Sequence, residues 1–157
     1  LGLLRFGRVS LRELGWTFET PLRDIARGLL GFFIAGGVLM AAYIASGDPL
    51  SSVWHEVLGY SLTQRIIWLA IAVFGAALVE ETLFRGYLQP ALAHRFGLPL
   101  AIVLQALLFD LMHMNFRPAS LIVKLIFGVI FGVLRGKDRS LLAPGIAHGL
   151  IWAVFGA

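Results

Sequence analysis

The longest uncharged run in the chain is the feature that most restricts its fold. From Gly28 to Gly47 there are 20 residues without a formal charge. A helix of that length covers about 30 Å, the thickness of the hydrocarbon core of a bilayer. The whole chain is 59% hydrophobic and 14% charged, whereas soluble domains contain about 45–50% apolar and about 25% charged residues. We therefore predict an all-α fold, a polytopic membrane helix bundle.

Four further apolar runs follow, so we expect about five spanning or partly spanning helices. The predicted helices cover residues 28–47, 62–89, 98–114, 121–134 and 141–155, and the last two are short for a full crossing. Asp48 and Pro49 interrupt the chain after the first helix. Residues 1–27, with five arginines among apolar residues, are predicted to form an amphipathic segment at the membrane surface. Residues 1–157 then make a single membrane domain, in which residues 28–157 form the bundle and hold the site.

The distribution of basic residues predicts the orientation of the bundle. A net charge of +4 could indicate a nucleic-acid partner, but the basic residues form short clusters without an aromatic-studded basic face, so no nucleic acid is expected. The connections are numbered in chain order, starting with the segment before the first helix. Two basic residues, Arg65 and Arg117, lie in the even-numbered connections. Nine lie in or beside the odd-numbered ones, namely Arg5, Arg8, Arg12, Arg23, Arg27, Arg95, Arg135, Lys137 and Arg139. By the positive-inside rule the odd-numbered connections are cytoplasmic.

Ionisable residues inside the apolar runs are the candidates for function, because charges at membrane depth are costly and need partners. They are Glu80, Glu81, Arg85, Asp110, His113, Lys124 and His148. Glu81 and Arg85 are four residues apart, which favours an ion pair within one helix. Glu80 points about 100° away and is the better candidate for a working carboxylate. Adjacent carboxylates repel each other, which suits one of them to exchange a proton near neutral pH.

Two histidines from different helices could complete such a site. A single buried histidine is more often structural than functional, but His113 and His148 together with the glutamate pair favour a shared site. A proton-coupled transporter would use the same residue types. Inverted repeats would support that alternative, and the sequence contains no obvious ones.

Several known protease patterns are absent. His55 and Glu56 begin a zinc-protease motif, but Gly59 occupies the position of its second histidine. There is no Gly-x-Ser-x-Gly and no Gly-x-Gly-Asp sequence, and the chain contains no cysteine. These observations exclude the usual serine, cysteine, aspartyl and site-2 metalloprotease motifs.

The remaining motifs resemble those of one family. Glu-Glu-x-x-x-Arg at residues 80–85, Phe-x-x-x-His at residues 109–113 and His148 after Ala-Pro occur in that order. This order resembles the CPBP family, the CAAX-protease and bacteriocin-processing (Abi) intramembrane endopeptidases, over roughly Glu80 to Trp152. Arg12-Glu13-Leu14-Gly15 is similar to the family's element before its first helix.

The resemblance implies an intramembrane peptidase with a Glu/His site. Glu80, of the Glu80–Glu81 pair, would be the base that activates water together with His113, and His148 would stabilise the oxyanion. Arg85 and Phe109 would support them. The family usually has Asn four residues after the last histidine, where this chain has Trp152, and losing one oxyanion donor can cost roughly 10²–10³ in rate. A catalytically weak or inactive scaffold or immunity protein of the same family is therefore an alternative.

The resemblance also sets expectations about cofactors and partners. No cofactor is firmly predicted; if zinc is bound, the ligands would be Glu80, His113 and His148. The expected partners are a peptide or protein substrate at the membrane and the lipid bilayer. The protein should be integral to the membrane, multi-pass, with its active site toward the cytoplasmic half. One difficulty is that Glu80 and His113 would lie at different depths in the membrane. Glu80 lies some 21 Å from the helix end near Arg65, whereas His113 lies near the end of its own helix on that same side.

Overall fold

The structure is a computed structural model that describes residues 9–47 and 59–155. Within these ranges all regular elements are helices, and there is no strand, so the predicted all-α bundle is confirmed. The helices are α1 (Leu11–Leu14), α2 (Pro21–Ser46), α3 (Leu62–Phe96), α4 (Leu98–Met112), α5 (Pro118–Asp138) and α6 (Leu142–Phe155). Arg5, Arg8, Asp48–Pro49 and His55–Glu56 lie outside the described residues.

Three of these helices are long and apolar enough to cross a membrane. They are α2, α3 and the Pro118–Gly136 part of α5, while α4 and α6 are shorter apolar helices. Large apolar side chains on the outside of the bundle, such as Phe33 (69% exposed) and Phe74 (63% exposed), suit contact with lipid rather than water. The chain is an integral membrane protein.

Two of the later helices extend beyond their predicted bounds. The fourth predicted helix, 121–134, is in fact the 21-residue α5, which begins at Pro118 because proline needs no N–H partner in the first helical turn. Arg135 does not end it, since its guanidinium finds acceptors inside the protein. The second predicted helix, which was expected to end at Gln89, continues through Pro90 to Phe96. Pro90 directly follows the change from the π-helical segment Thr82–Leu88 to the α-helical segment Gln89–Phe96.

The N-terminal segment is divided between two elements. Residues 21–27, which the sequence analysis placed in the surface segment, form the first turns of α2. Before them, Ser10 and Glu13 cap α1 reciprocally, and the Ser10 N–H and hydroxyl both donate to the Glu13 carboxylate. These hydrogen bonds hold the pKa of Glu13 below its usual value.

Glycines form the closest helix contacts. On α2, a Cβ at Gly28 or Gly31 would lie within 3 Å of side chains on neighbouring helices. On α5, a Cβ at Gly128 would lie 2.7 Å from the Cβ of Ala106 on α4. The four-residue glycine spacing seen in α5 therefore does permit close backbone approach, as expected in lipid.

The unequal lengths of α3 and α4 resolve the difficulty of depth. α3 has 35 residues and α4 only 15, and the two are joined at Gly97, which adopts a positive φ of 80°. α4 therefore returns only part of the way along α3, and the Phe109 ring packs against Phe84 with centroids 5.2 Å apart. His113, directly after α4, consequently lies much closer to the level of the glutamates than to that of Arg65.

Candidate active site

Glu81 is the centre of a buried charged network. Its side chain is fully buried, and one carboxylate oxygen, Oε1, accepts hydrogen bonds from Arg85 Nη1 at 2.9 Å and from His148 Nδ1 at 2.7 Å. The predicted Glu81–Arg85 ion pair is confirmed. The Arg85 guanidinium is also buried and lies over the Phe109 ring, 4.4 Å from its centroid. A charge removed from water needs such compensation, since an unpaired one would be costly.

The contact with Glu81 assigns the roles of the two His148 nitrogens. An ionised carboxylate only accepts hydrogen bonds, so Nδ1 carries the proton, and Nε2 faces the other way. Glu80 Oε2 lies 3.8 Å from that Nε2, too far for a direct hydrogen bond. The His148 ring is held between two aromatic rings, with centroid distances of 4.9 Å to Phe131 and 5.6 Å to Phe109. Its orientation is therefore set by packing and by Glu81.

The two glutamates differ in exposure. The Glu80 side chain is 23% exposed, whereas that of Glu81 is fully buried. Both nevertheless face the same imidazole, which a 100° step along an ordinary α-helix does not favour. The backbone here is π-helical over Ile71–Glu80 and Thr82–Leu88, on either side of Glu81. A π-helix turns less per residue, and such segments often occur at functional sites.

His113 lies on another side of Phe109. Its Nδ1 is 2.8 Å from the Phe109 carbonyl oxygen, which can only accept, so Nδ1 carries the proton and Nε2 is left as an acceptor. The two rings meet edge to face with centroids 4.7 Å apart. Phe109 therefore contacts both histidines and the Arg85 guanidinium, which makes it the shared support of the site.

A cavity among the described residues adjoins His113. It has a volume of about 420 Å³ and lies between α2, α5, α6 and the connection after α4. His113, Lys124 and Trp152 line it together with apolar side chains such as Leu39 and Phe127. Glu80 and His148 are not among its lining residues. The structure thus brings Glu80, Glu81, Arg85 and His148 together, and places His113 and Trp152 in the wall of this cavity.

Lys124 and Asp110 carry the remaining charges near the site. The Lys124 ammonium interacts electrostatically with Asp110 and with Glu80. Asp110 is 5% exposed, and its Oδ1 has no hydrogen-bond partner within residues 9–47 and 59–155. Lys124 therefore offsets part of the negative charge on this side of the bundle.

Trp152 occupies the position at which the resembled family usually has Asn. Its ring packs against Trp68 of α3, with centroids 5.0 Å apart and planes at 43°. It also lines the cavity, one helical turn after His148. The side chain therefore closes the space between α3 and α6 beside the histidine.

The residues proposed for zinc do not form a ligand set here. Across the described ranges, no three His, Cys, Asp or Glu side chains are grouped so that they could hold one metal ion. His148 directs Nδ1 to Glu81, and His113 directs Nδ1 to the Phe109 carbonyl oxygen. We therefore derive no catalytic step through a metal.

The sequence analysis missed a layer of buried amides. Gln89 donates to the Gly132 carbonyl at 2.9 Å, and Gln105 donates to the Gly128 carbonyl at 2.8 Å. Both side chains are almost completely buried and tie α3 and α4 to α5. A glutamine within an apolar run was the available signal, because such a group in lipid needs an internal partner.

Comparisons with known proteins identify the family of the chain. A family model described as Type II CAAX prenyl endopeptidase Rce1-like matches residues 62–154, which includes both glutamates and both histidines. No curated protein and no solved structure gives a significant match. Since the match covers more than half of the 157 residues, the chain belongs to the Rce1-like family of type II CAAX prenyl endopeptidases, a family of membrane proteases.

Proposed function

We propose that the chain hydrolyses a peptide bond within the membrane, using a water molecule activated by Glu80 and the histidines. The observation that carries the proposal is the difference between the two carboxylates. Glu81 is fully buried and engaged by Arg85 and His148, while the Glu80 side chain is 23% exposed, and its buried Oε2, 3.8 Å from His148 Nε2, has no hydrogen-bond partner among the described residues. Glu80 thus has the access that a general base needs, and Glu81 has the contacts that orient a histidine.

The proposed reaction needs no covalent intermediate. Glu80 takes a proton from water as the water oxygen bonds to the peptide carbonyl carbon, and the carbonyl electron pair moves onto its oxygen. His148, protonated on both nitrogens with Glu81 stabilising the imidazolium, donates from Nε2 to that oxyanion. Collapse breaks the C–N bond, and Glu80 returns its proton to the leaving amine. His113 Nε2, an acceptor, helps to orient the water.

The cavity beside His113 is the proposed entry for the substrate, a peptide or protein segment at the membrane. Its volume of about 420 Å³ is in the usual range of ligand pockets, and its mixture of aromatic and polar lining suits an extended peptide. Because the family is described as prenyl endopeptidases, the informative reporter is a fluorescence-quenched peptide with a prenylated cysteine near its C-terminus. The same peptide without the prenyl group tests whether the lipid is required.

Substitution of Glu80 tests the proposal directly. We expect Glu80→Gln to reduce cleavage of either reporter by at least roughly 10²-fold, since a positioned general base contributes about 10²–10⁴. The purified protein should keep its thermal stability in detergent, because Glu80 makes no hydrogen bond within the described residues that the amide would lose. Initial rates and melting curves measure the two effects.

Glu81→Gln and Glu19→Gln are the matched comparisons. Glu81→Gln should lower stability as well as activity, since it leaves the buried Arg85 without its counter-ion. Glu19 is exposed, with only a 3.8 Å surface contact to Arg12, so its substitution should change neither quantity. A folded Glu80→Gln protein that cleaves at the wild-type rate would rule out the proposed base.

Trp152 supports one alternative function. A large ring lies where the resembled family has an amide, and it packs on Trp68 against the cavity. This arrangement favours a catalytically weak or inactive relative acting as a membrane scaffold or immunity protein. Absence of cleavage by wild-type protein, with recovery in a Trp152 variant, would favour that alternative.

A further inference from the structure

A short segment outside the spanning helices reaches the base of the candidate site. We define Ser10–Trp16 as the N-terminal clasp. The Trp16 indole N–H donates to Thr82 Oγ1 at 2.8 Å, and Thr82 directly follows Glu81. The same ring also approaches α6, where a Cβ at Gly145 would lie 3.1 Å from the Trp16 atom Cη2. Gly145 precedes His148 by three residues, so Trp16 contacts both helices about one turn from the Glu81–His148 hydrogen bond.

Hydrogen bonds from α5 and from the residue before α6 hold the clasp in place. The Leu141 N–H donates to the Gly15 carbonyl at 2.7 Å, and Arg135 Nη2 donates to the Leu14 carbonyl at 3.4 Å. Gly15 has a φ of 110°, a conformation that residues with a Cβ rarely adopt. Arg135 also donates through Nε to the Arg85 carbonyl at 3.1 Å. The clasp therefore connects α3, α5 and the start of α6 in one place.

Near Gly145 and Gly149 of α6, the contact between α3 and α6, which we call the seam, is lined by small residues, whereas Trp68 and Trp152 fill it farther along. A Cβ at Gly149 would lie 3.1 Å from the Ala77 Cβ, so the backbones almost touch there. A Cβ at Gly145 would meet the Trp16 ring at 3.1 Å and, beside it, the Ala77 carbonyl oxygen of α3 at 3.5 Å. The Trp16 ring, hydrogen-bonded to Thr82, thus lies between parts of α3 and α6 about one turn from the 2.7 Å contact between Glu81 and His148.

We propose that Trp16 is a positioning residue for the site: it spaces α3 and α6 so that the Glu81–His148 hydrogen bond forms. This inference rests on the proposed function for its effect on catalysis, although its structural part can be tested alone. Rates are sensitive to such spacing, since a misplacement of about 1 Å can cost on the order of 10²-fold.

Disulfide trapping tests the spacing without any substrate. The chain has no cysteine, so Ala77→Cys with Gly149→Cys provides a single pair across the seam. Their Cβ separation of 3.1 Å is just below the about 3.5–4.5 Å of disulfides. We expect Trp16→Ala to slow oxidation of this pair several-fold. The control pair, Gly31→Cys with Ala147→Cys between α2 and α6, should oxidise at an unchanged rate (Cβ separation 3.2 Å).

Kinetics test the catalytic consequence. With the quenched reporter, Trp16→Phe and Thr82→Val each remove the indole–hydroxyl hydrogen bond and should lower kcat by roughly 10-fold with little change in KM. The double variant should be no worse than either single one, and Thr82→Ser should restore activity. Phe18→Ala, at a side chain 71% exposed two residues away, should have no effect.

The outcomes separate the two proposals. If wild-type protein cleaves no reporter, the proposed function fails, but the trapping comparison still decides whether Trp16 sets the seam. Equal slowing of both cysteine pairs would show general loosening, and no slowing of either would show that the seam is independent of Trp16. Either result, or additive losses in the double variant, would overturn the positioning role.

Discussion

At the scale of single residues, two adjacent glutamates have different environments. The Arg85 guanidinium and His148 Nδ1 both bind one oxygen of Glu81, and the whole side chain is buried. Glu80 Oε2 lies 3.8 Å from His148 Nε2, without a direct hydrogen bond. The histidine lies between the two carboxylates, anchored by one and open toward the other. This arrangement resembles the logic of a catalytic triad, in which a buried carboxylate orients an imidazole.

The structure also makes a specific prediction at Trp152. Since its ring packs on Trp68 and faces the cavity, we expect Trp152→Asn to enlarge the cavity and raise turnover of the quenched reporter. Trp152→Phe should leave turnover about unchanged, because it keeps most of the ring. Loss of the Trp68 contact should cost Trp152→Asn about 0.5–1.5 kcal/mol of stability. If Phe instead lowers turnover by on the order of 10²-fold while Asn is tolerated, the indole N–H is a working donor.

At the scale of helices, small residues and buried side-chain amides hold the bundle together. Gln105 and Arg85 both donate to the Gly128 carbonyl, at 2.8 and 3.4 Å. Gly128 itself packs against the backbone of Ala106. The charged network of α3 is therefore attached to the same point at which α4 and α5 come closest.

Gly128→Ala should show how much this contact matters. A Cβ there would lie 2.7 Å from the Ala106 Cβ and 2.8 Å from its Cα, and a backbone atom cannot move away cheaply. We expect a loss of stability of about 1–3 kcal/mol, together with reduced cleavage, since the carbonyl that accepts from Arg85 must shift. Thermal unfolding in detergent and reporter assays measure these effects. Gly37→Ala, where a Cβ would meet nothing within 4 Å, is the control and should be tolerated; equal losses in both variants would refute the packing explanation.

At the scale of the whole molecule, basic residues and the clasp lie at the same end of the bundle. Arg95 is next to the turn between α3 and α4, Arg139 follows the end of α5, and the clasp is bound to Arg135. The proposed orientation places this end in the cytoplasm, by the excess of positive charge. The site would then lie toward the cytoplasmic half. Glu81 precedes Arg85 by four residues, so by the helical rise it lies some 6 Å farther from this end than Arg85 does.

Cysteine labelling of intact cells tests this orientation. Because the chain has no native cysteine, His94→Cys and Thr63→Cys each provide one exposed thiol, at the turn end and at the start of α3. A membrane-impermeant maleimide should label Thr63→Cys in intact cells, and His94→Cys only after permeabilisation. The reverse pattern would show that the bundle is inserted the other way.

The sequence by itself determined the class of fold and named the candidate residues of the site. Long uncharged runs require membrane helices, because lipid offers backbone groups no hydrogen-bond partners. The Glu81–Arg85 pair lies within one helix, so its four-residue spacing predicted it. The costly charges inside those runs identified the candidate residues, and their order matched the family that the comparison found.

Only the tertiary structure decided which of these groups meet. Three features join residues that are far apart in the chain. α4 ends near the level of the glutamates, Glu81 orients His148, and Trp16 contacts Thr82. Such contacts depend on helix lengths and on the rotation of each helix about its axis. The π-helical turns around Glu81 change that rotation, and the apolar pattern of the sequence does not reveal it, since nearly every face of α3 is apolar.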